Sequence, residues 1–187
     1  MAPLGRRAAS WALAVAAAAS LAHAPASGAG LTDSQVKAAF LYSFGRFTQW
    51  PPASESTRAD AFVIAILGDD PFGNILDDML RGKSIGDSTV VVNRIARAED
   101  LDGAHILYIS ESEADQLPRI LKRVEGSPVL TVGEMSRFAE RGGMIRMKTE
   151  ASRVRLEINV MATERAGLKL SSELLKLARI VGAPQGG

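Results

Sequence analysis

The run Phe62–Leu67, FVIAIL, constrains the fold of this chain more than any other segment. Consecutive apolar residues without alternation suit a strand buried on both faces, which places it inside a sheet covered by helices. Thr89–Ile95 (TVVVNRI), His105–Ser110 (HILYIS) and Val129–Val132 supply three further strand candidates. Helical patterns lie between them. Ile75, Leu76, Met79 and Leu80 mark one that ends at Gly82, with Pro71 opening it after the turn Gly68–Gly73. Glu113–Glu125 carries Leu117, Ile120, Leu121 and Val124 on one face, and Ser136–Arg141 reads as a short helix ending at Gly142-Gly143. Strands that alternate with helices argue for an α/β fold with a mostly parallel sheet.

The C-terminal third reads differently. Met144–Lys148 and Arg153–Val160 pair as a hairpin across Thr149–Ser152, adding an antiparallel edge. Ala162–Gly167 is a short helix, and Ser171 or Ser172 caps a closing helix to about Val181, with Leu174, Leu175, Leu177, Ala178 and Val181 as its core stripe. The expected architecture is a single three-layer α/β domain. It has a mostly parallel central sheet flanked by helices, a C-terminal antiparallel hairpin and a closing helix.

Ahead of this domain, Arg6 and Arg7 precede the uncharged Ala-rich run Trp11–Leu21, and small residues follow at Ala22, Ala24, Ala26 and Ala29. That pattern predicts a secretory signal over residues 1–26; a cut after Ala24 would leave Pro25 at the new N-terminus. An uncleaved anchor is the alternative, although the run is short and Ala-rich for a membrane span. Residues 27–187 then form the domain. Removing Arg6 and Arg7 takes the 22 Lys and Arg to 20 against 21 Asp and Glu, a net charge of −1. A near-neutral domain lacks the basic footprint of a nucleic-acid binder.

The composition also excludes chemistries. The chain has no cysteine, so disulfides and thiol catalysis are out. With His23 in the signal, His105 is the one histidine left, which excludes a zinc site built from His and Cys. The sequence holds no G-x-x-x-x-G-K-[ST], G-x-G-x-x-G or G-x-S-x-G motif. Asp69-Asp70 follows the first buried strand, where ligands of open sheets gather, yet it reads best as a solvated turn with Asp69 as a helix cap. A lone His105 opening a strand reads as a satisfied strand-end residue. The expectation is a protein that is not an enzyme and uses neither cofactor nor metal.

What remains is contact. Ten aromatic residues are present, and Phe40, Tyr42, Phe44, Phe47 and Trp50 crowd into Val36–Pro52, with Phe62 just beyond. A helix is expected over Leu31–Gln49, capped by Thr32, Asp33 or Ser34, and Phe40, Phe44 and Phe47 recur at core spacing. Trp50 stands apart, at a helix end stiffened by Pro51-Pro52, where a rigid amphipathic ring makes a contact anchor. Arg153, Arg155 and Glu157 project to one face of their strand, and Val154, Leu156 and Ile158 to the other. Arg146 and Lys148 share a face of the partner strand, so an aligned register gathers a polar patch.

Four segments carry a resemblance: VKAAFLYSFGRFTQWP at Val36–Pro51, FVIAILGDDPFG at Phe62–Gly73, HILYIS at His105–Ser110, and Gly142–Val181 with Glu157-Ile158-Asn159 within it. In this order they resemble the YfiR family of exported α/β proteins. The resemblance implies a periplasmic repressor that binds the periplasmic sensor domain of an inner-membrane diguanylate cyclase, limiting cyclic-di-GMP and biofilm formation. It also implies an OmpA-type outer-membrane lipoprotein able to sequester the repressor, and a homodimer. Carried over residue by residue, Trp50 and Pro51 fall on the family's aromatic–proline corner. With Phe47 before them, and Met144 and Ile145 on the hairpin, they are the implied partner-binding residues. Glu157, Asn159, Arg165 and Lys169 fall on a polar region that accommodates small ligands in some relatives, which leaves a small-molecule sensor as the alternative. The best-known members carry cysteines where this chain has Ala104 and the cysteine-free run Ala139–Arg146, so redox control by disulfides cannot operate here.

Overall fold

The computed structural model describes residues 31–52 and 61–182. The expected signal, the loop after Pro52 and the Gly/Pro tail lie outside the described residues. The first element is helix α1 (Asp33–Arg46). Thr32 Oγ1 accepts from the Gln35 amide and Gln35 Oε1 accepts from the Thr32 amide, a reciprocal cap that fixes where the helix starts. The helix ends three residues before the expected Gln49. Phe47 closes it and passes its carbonyl to the Ser171 amide at 2.8 Å, so Thr48–Gln49 leaves as strand β1. Pro51 has no amide to donate to the Phe47 carbonyl four residues back, which leaves that carbonyl to Ser171.

The central strands follow: β2 (Ala61–Leu67), then helix α2 (Asn74–Leu80), β3 (Ser84–Ile85), β4 (Ser88–Ile95), β5 (Ala104–Ile109), helix α3 (Leu117–Arg123) and β6 (Leu130–Gly133). The C-terminal part adds β7 (Ile145–Glu150), β8 (Arg153–Asn159), helix α4 (Val160–Arg165), β9 (Lys169–Leu170), helix α5 (Ser172–Lys176) and β10 (Ala178–Val181). Eight strands form one sheet in the order β10-β8-β7-β6-β5-β2-β4-β3. β7, β6, β5, β2 and β4 run parallel, with β3 and β8 antiparallel to their neighbours and β10 parallel to β8. β1 and β9 pair separately.

Period-two alternation along the buried strands builds both sides of the sheet at once. Ile64, Ile66, Ile106 and Tyr108 meet Leu41 and Phe44 of α1 and Leu76 and Leu80 of α2. Ala65, Leu67, Leu107 and Ile109 meet Leu117 and Ile120 of α3, with Phe138 beside them. Each fully buried Ile or Leu contributes about 1.5–3 kcal/mol relative to exposure, so these central strands dominate stability. The mostly parallel α/β architecture with its C-terminal hairpin and helix is therefore the observed one.

Several local expectations fail for identifiable reasons. Pro71 does not open α2; Asp70, not Asp69, organises that turn by accepting from the Phe72 amide at 2.7 Å. The acidic start of the third helical pattern forms a single tight turn capped by Ser110, and α3 begins only at Leu117, next to Pro118. Ser136–Arg141 is a set of turns rather than a helix, with Arg137 at φ 57°. The closing helix is five residues long. Ala178–Val181 lies instead as strand β10 beside Leu156–Asn159, which leaves Leu177 exposed and moves the hairpin off the sheet edge.

Candidate functional site

β2 and β5 are neighbours whose following helices, α2 and α3, cover opposite faces of the sheet, so the crevice at their carboxyl ends is the usual ligand position of such folds. In this chain its own groups bridge that crevice. The Ser110 amide donates to the Leu67 carbonyl at 3.0 Å, and Ser112 Oγ accepts from the Asp69 amide at 3.0 Å. Gly68 sits at φ 84°, and any side chain there would overlap Ser112. Asp70 is held by Arg94 at 2.8 Å, and Arg94 also binds Asp77 at 2.5 Å. Nearby, Tyr108 Oη donates to Glu134 at 2.8 Å and Lys37 Nζ lies 2.5 Å from the other Glu134 oxygen. Burial disfavours the charge on Lys37, but bonds to Asp33 and Glu134 outweigh it and hold its pKa above the ordinary value. Burial and the adjacent Glu134 push the Tyr108 hydroxyl upward. These groups tie α1 to the sheet and to one another.

A cavity of about 470 Å³ also opens at the carboxyl end, between Leu67, Arg97, Glu113 and Arg119. The aromatic surface lies at the opposite, amino-terminal end of the parallel strands. The Trp50 indole stands edge-on to Phe62 with centroids 5.1 Å apart, and Phe62 stacks on His105 at 4.5 Å. His105 Nδ1 accepts from the Val63 amide at 3.2 Å. Burial lowers the His105 pKa, only partly opposed by the Gly103 backbone, so the ring is neutral near pH 7. A cavity of about 350 Å³ opens between Trp50, Pro51 and His105 on one side and Leu101, Val124 and Pro128 on the other. Phe47 and Trp50 are half-buried and Pro51 is exposed. Gln49 pairs with Lys169, which brings the aromatic–proline corner beside β9.

Met144 and Ile145 have different places. Ile145 is fully buried and belongs to the core, with no surface to offer in this conformation. Met144 lines another cavity of about 430 Å³ with Leu121, Val124, Arg141, Arg165 and Ala166. Val124 borders both this cavity and the one at Trp50, so the two adjoin at that residue.

Glu157 and Asn159 sit on the other side of the hairpin from its apolar face. The register sets Arg146 opposite Glu157 and Lys148 opposite Arg155, as an aligned patch requires. Glu157 accepts from Arg146 at 3.2 Å and from Arg179 at 2.7 Å. Burial works against its charge, yet the two arginines hold its pKa below the usual carboxylate range. Asn159 Oδ1 caps α4 through the Ala162 amide at 3.0 Å, and its Nδ2 donates to the Ala139 carbonyl at 2.8 Å. Both side chains spend their hydrogen bonds inside the fold. Arg179 escapes sequence reasoning because its segment reads as helix; read as a strand, Arg179-Ile180-Val181 places it opposite Glu157.

A family model described as YfiR/HmsC-like matches residues 34–179. The chain belongs to this family. The YfiR/HmsC-like family is regulatory rather than catalytic, and it supports a periplasmic regulator of a diguanylate cyclase of the YfiN type at family level. Among the described residues no helix is long and apolar enough to cross a membrane. A search of the curated proteins finds no match to this YfiR/HmsC-like chain.

Proposed function

We propose that this protein is an exported repressor that binds the periplasmic sensor region of an inner-membrane diguanylate cyclase and holds the enzyme inactive. The observation that carries this reading is membership of the YfiR/HmsC-like family over residues 34–179. The half-buried Trp50 beside the exposed Pro51 supports it, since rigid aromatic anchors next to a cavity concentrate binding energy. By binding one conformation of the sensor better, the repressor shifts the cyclase population by its differential affinity. Residues 1–26 direct export in this reading, an OmpA-type lipoprotein relieves repression by sequestration, and the working form is a homodimer.

The test is deletion of the coding region in the native host and complementation with wild type or Trp50→Ala. Loss of the protein raises cyclic-di-GMP and wild type restores the low level. Unchanged cyclic-di-GMP on deletion overturns the reading. A folded Trp50→Ala protein that represses fully removes Trp50 from the interface.

One observation favours a second reading, a small-molecule sensor whose ligand tunes the same output. Met144 and Arg165 line one cavity, with Arg141 as a second cation. Of the polar residues implied by the resemblance, Arg165 alone borders that cavity; Glu157 borders another, with Lys148, Arg155 and Arg179. Calorimetry with polar and aromatic metabolites tests it, and absence of heat from all of them counts against it.

A further inference from the structure

Two buried side-chain polar atoms, Thr48 Oγ1 and Trp50 Nε1, have no hydrogen-bond partner. An unmet buried donor or acceptor costs about 1–3 kcal/mol, so such atoms call for an explanation. Thr48 is only 7% exposed, and both residues border the same cleft of about 420 Å³. This cleft lies on the α1 and β3 side of Trp50 and shares Trp50 and His105 with the cavity of about 350 Å³. Its other borders include Arg46, Phe62, Ile85 and His105.

The chemistry of this border is one-sided. Arg46 is exposed in the last turn of α1 and lies 6.0 Å from the Tyr42 ring, and among the described residues no carboxylate pairs with it. Among the described residues no Asp or Glu borders the cleft. The Ser84 carbonyl already accepts from Tyr42 Oη at 3.1 Å, and His105 Nδ1 is occupied by Val63. Two residues with unmet donors therefore border a space that, among the described residues, has one cation and no acid, over walls of Phe62, Ile85 and a neutral imidazole. Gly45 makes this close packing possible, because a Cβ there would overlap Ile85 and crowd the Phe62 ring.

We propose that this cleft binds a small organic monoanion, a carboxylate on a compact apolar body, whose oxygens accept from Thr48 Oγ1 and Trp50 Nε1 while Arg46 balances the charge. A single cation suits a monoanion rather than a phosphate dianion, and the apolar walls suit a short branched or cyclic body. Both unpartnered atoms are shielded from bulk water, so binding requires the half-buried indole to turn and admit the ligand oxygen. The site goes beyond the repressor reading and does not depend on it.

The experiment titrates the purified full chain with isobutyrate, with its neutral amide isobutyramide and with inorganic phosphate, by calorimetry and by NMR. Isobutyrate is expected to bind with a roughly millimolar Kd, and the other two at least tenfold more weakly. Thr48→Val removes the hydroxyl at constant shape and Arg46→Gln removes the charge. Each is expected to weaken isobutyrate binding about tenfold, the worth of one hydrogen bond or charge-assisted contact. Thr48→Ser restores binding, and Thr48→Val melts no lower than wild type because it deletes an unmet group. The proposal is overturned if isobutyrate does not saturate, if phosphate binds as tightly, or if Thr48→Val binds like wild type. It is equally overturned if Thr48→Val melts lower while Arg46→Gln leaves affinity unchanged, since a resident water then satisfies the hydroxyl.

Discussion

Trp50 meets Phe62 edge to face at 5.1 Å, and through that ring the surface corner is coupled to the first buried strand. Trp50→Ala therefore removes packing as well as a contact anchor, and is expected to destabilise the fold by about 2–3 kcal/mol. Trp50→Phe keeps an aromatic ring and deletes the unpaired indole N–H, so it should stay within about 1 kcal/mol of wild type. Urea unfolding of both variants checks this. Repression assays on Trp50→Ala are then to be compared at equal amounts of folded protein.

Glu157 lies between Arg146 and Arg179, with Arg146's side chain 14% exposed. Glu157→Gln leaves that arginine without a counter-charge, though the amide oxygen still accepts one bond. The expected loss is roughly 2–3 kcal/mol at neutral pH, somewhat below that of deleting a buried ion-pair partner.

Acid stability follows from the same group and from His105. The folded pKa of Glu157 is depressed, so its contribution is present above the ordinary 4.5 and is lost as pH falls through the lower folded value. His105 is also depressed, and the unfolded chain takes up that proton first. Its contribution starts to fall once pH drops below the ordinary 6.5. A stability profile should show two limbs on acidification, and Glu157→Gln should reduce only the lower one, to which Asp33 and Asp77, whose folded pKa values are also depressed, contribute. Chemical denaturation at half-unit pH steps resolves them.

Lys37 is 7% exposed and relies on Glu134 and Asp33 for its charge. Glu134→Ala should cost about 2–3 kcal/mol, since it leaves the buried ammonium with Asp33 alone and the Tyr108 hydroxyl without its acceptor. The pair Lys37→Met with Glu134→Leu should recover most of that loss. A double-mutant cycle by thermal melting measures the coupling.

Phe138 is fully buried against Gly133 and Gly143, and a Cβ on Gly143 would overlap its ring. Gly143→Ala is expected to destabilise by about 1–3 kcal/mol through overpacking. Adding Phe138→Leu should return part of the stability, since the smaller side chain yields the space.

Much of this fold was legible because its decisive strands are short and strongly patterned. FVIAIL and HILYIS declare burial on both faces, and alternation in Arg153–Ile158 sets which residues face Arg146. The failures share a cause. Leu174, Leu175, Leu177, Ala178 and Val181 satisfy helical spacing by coincidence, and only pairing with Leu156–Asn159 reveals a strand at Ala178. Thr48 was missed because β1 is two residues long and is defined by its distant partner Leu170. Ile145 is implied by the family resemblance and not by its own pattern; with β10 outside β8 and helices over the apolar face, it is core. Non-local pairing decides these residues, and local pattern does not carry it.

The place of β10 has a consequence in time. It lies parallel to β8, so the chain must travel through α4, β9 and α5 before the last strand can dock. The hairpin of β7 and β8 closes through a two-residue turn and can form early, while β10 waits on a long loop closure. Until it arrives, the outer rim of β8 is an open template for any other extended chain. The final residues of this domain thus act as the latch that ends a vulnerable interval during folding.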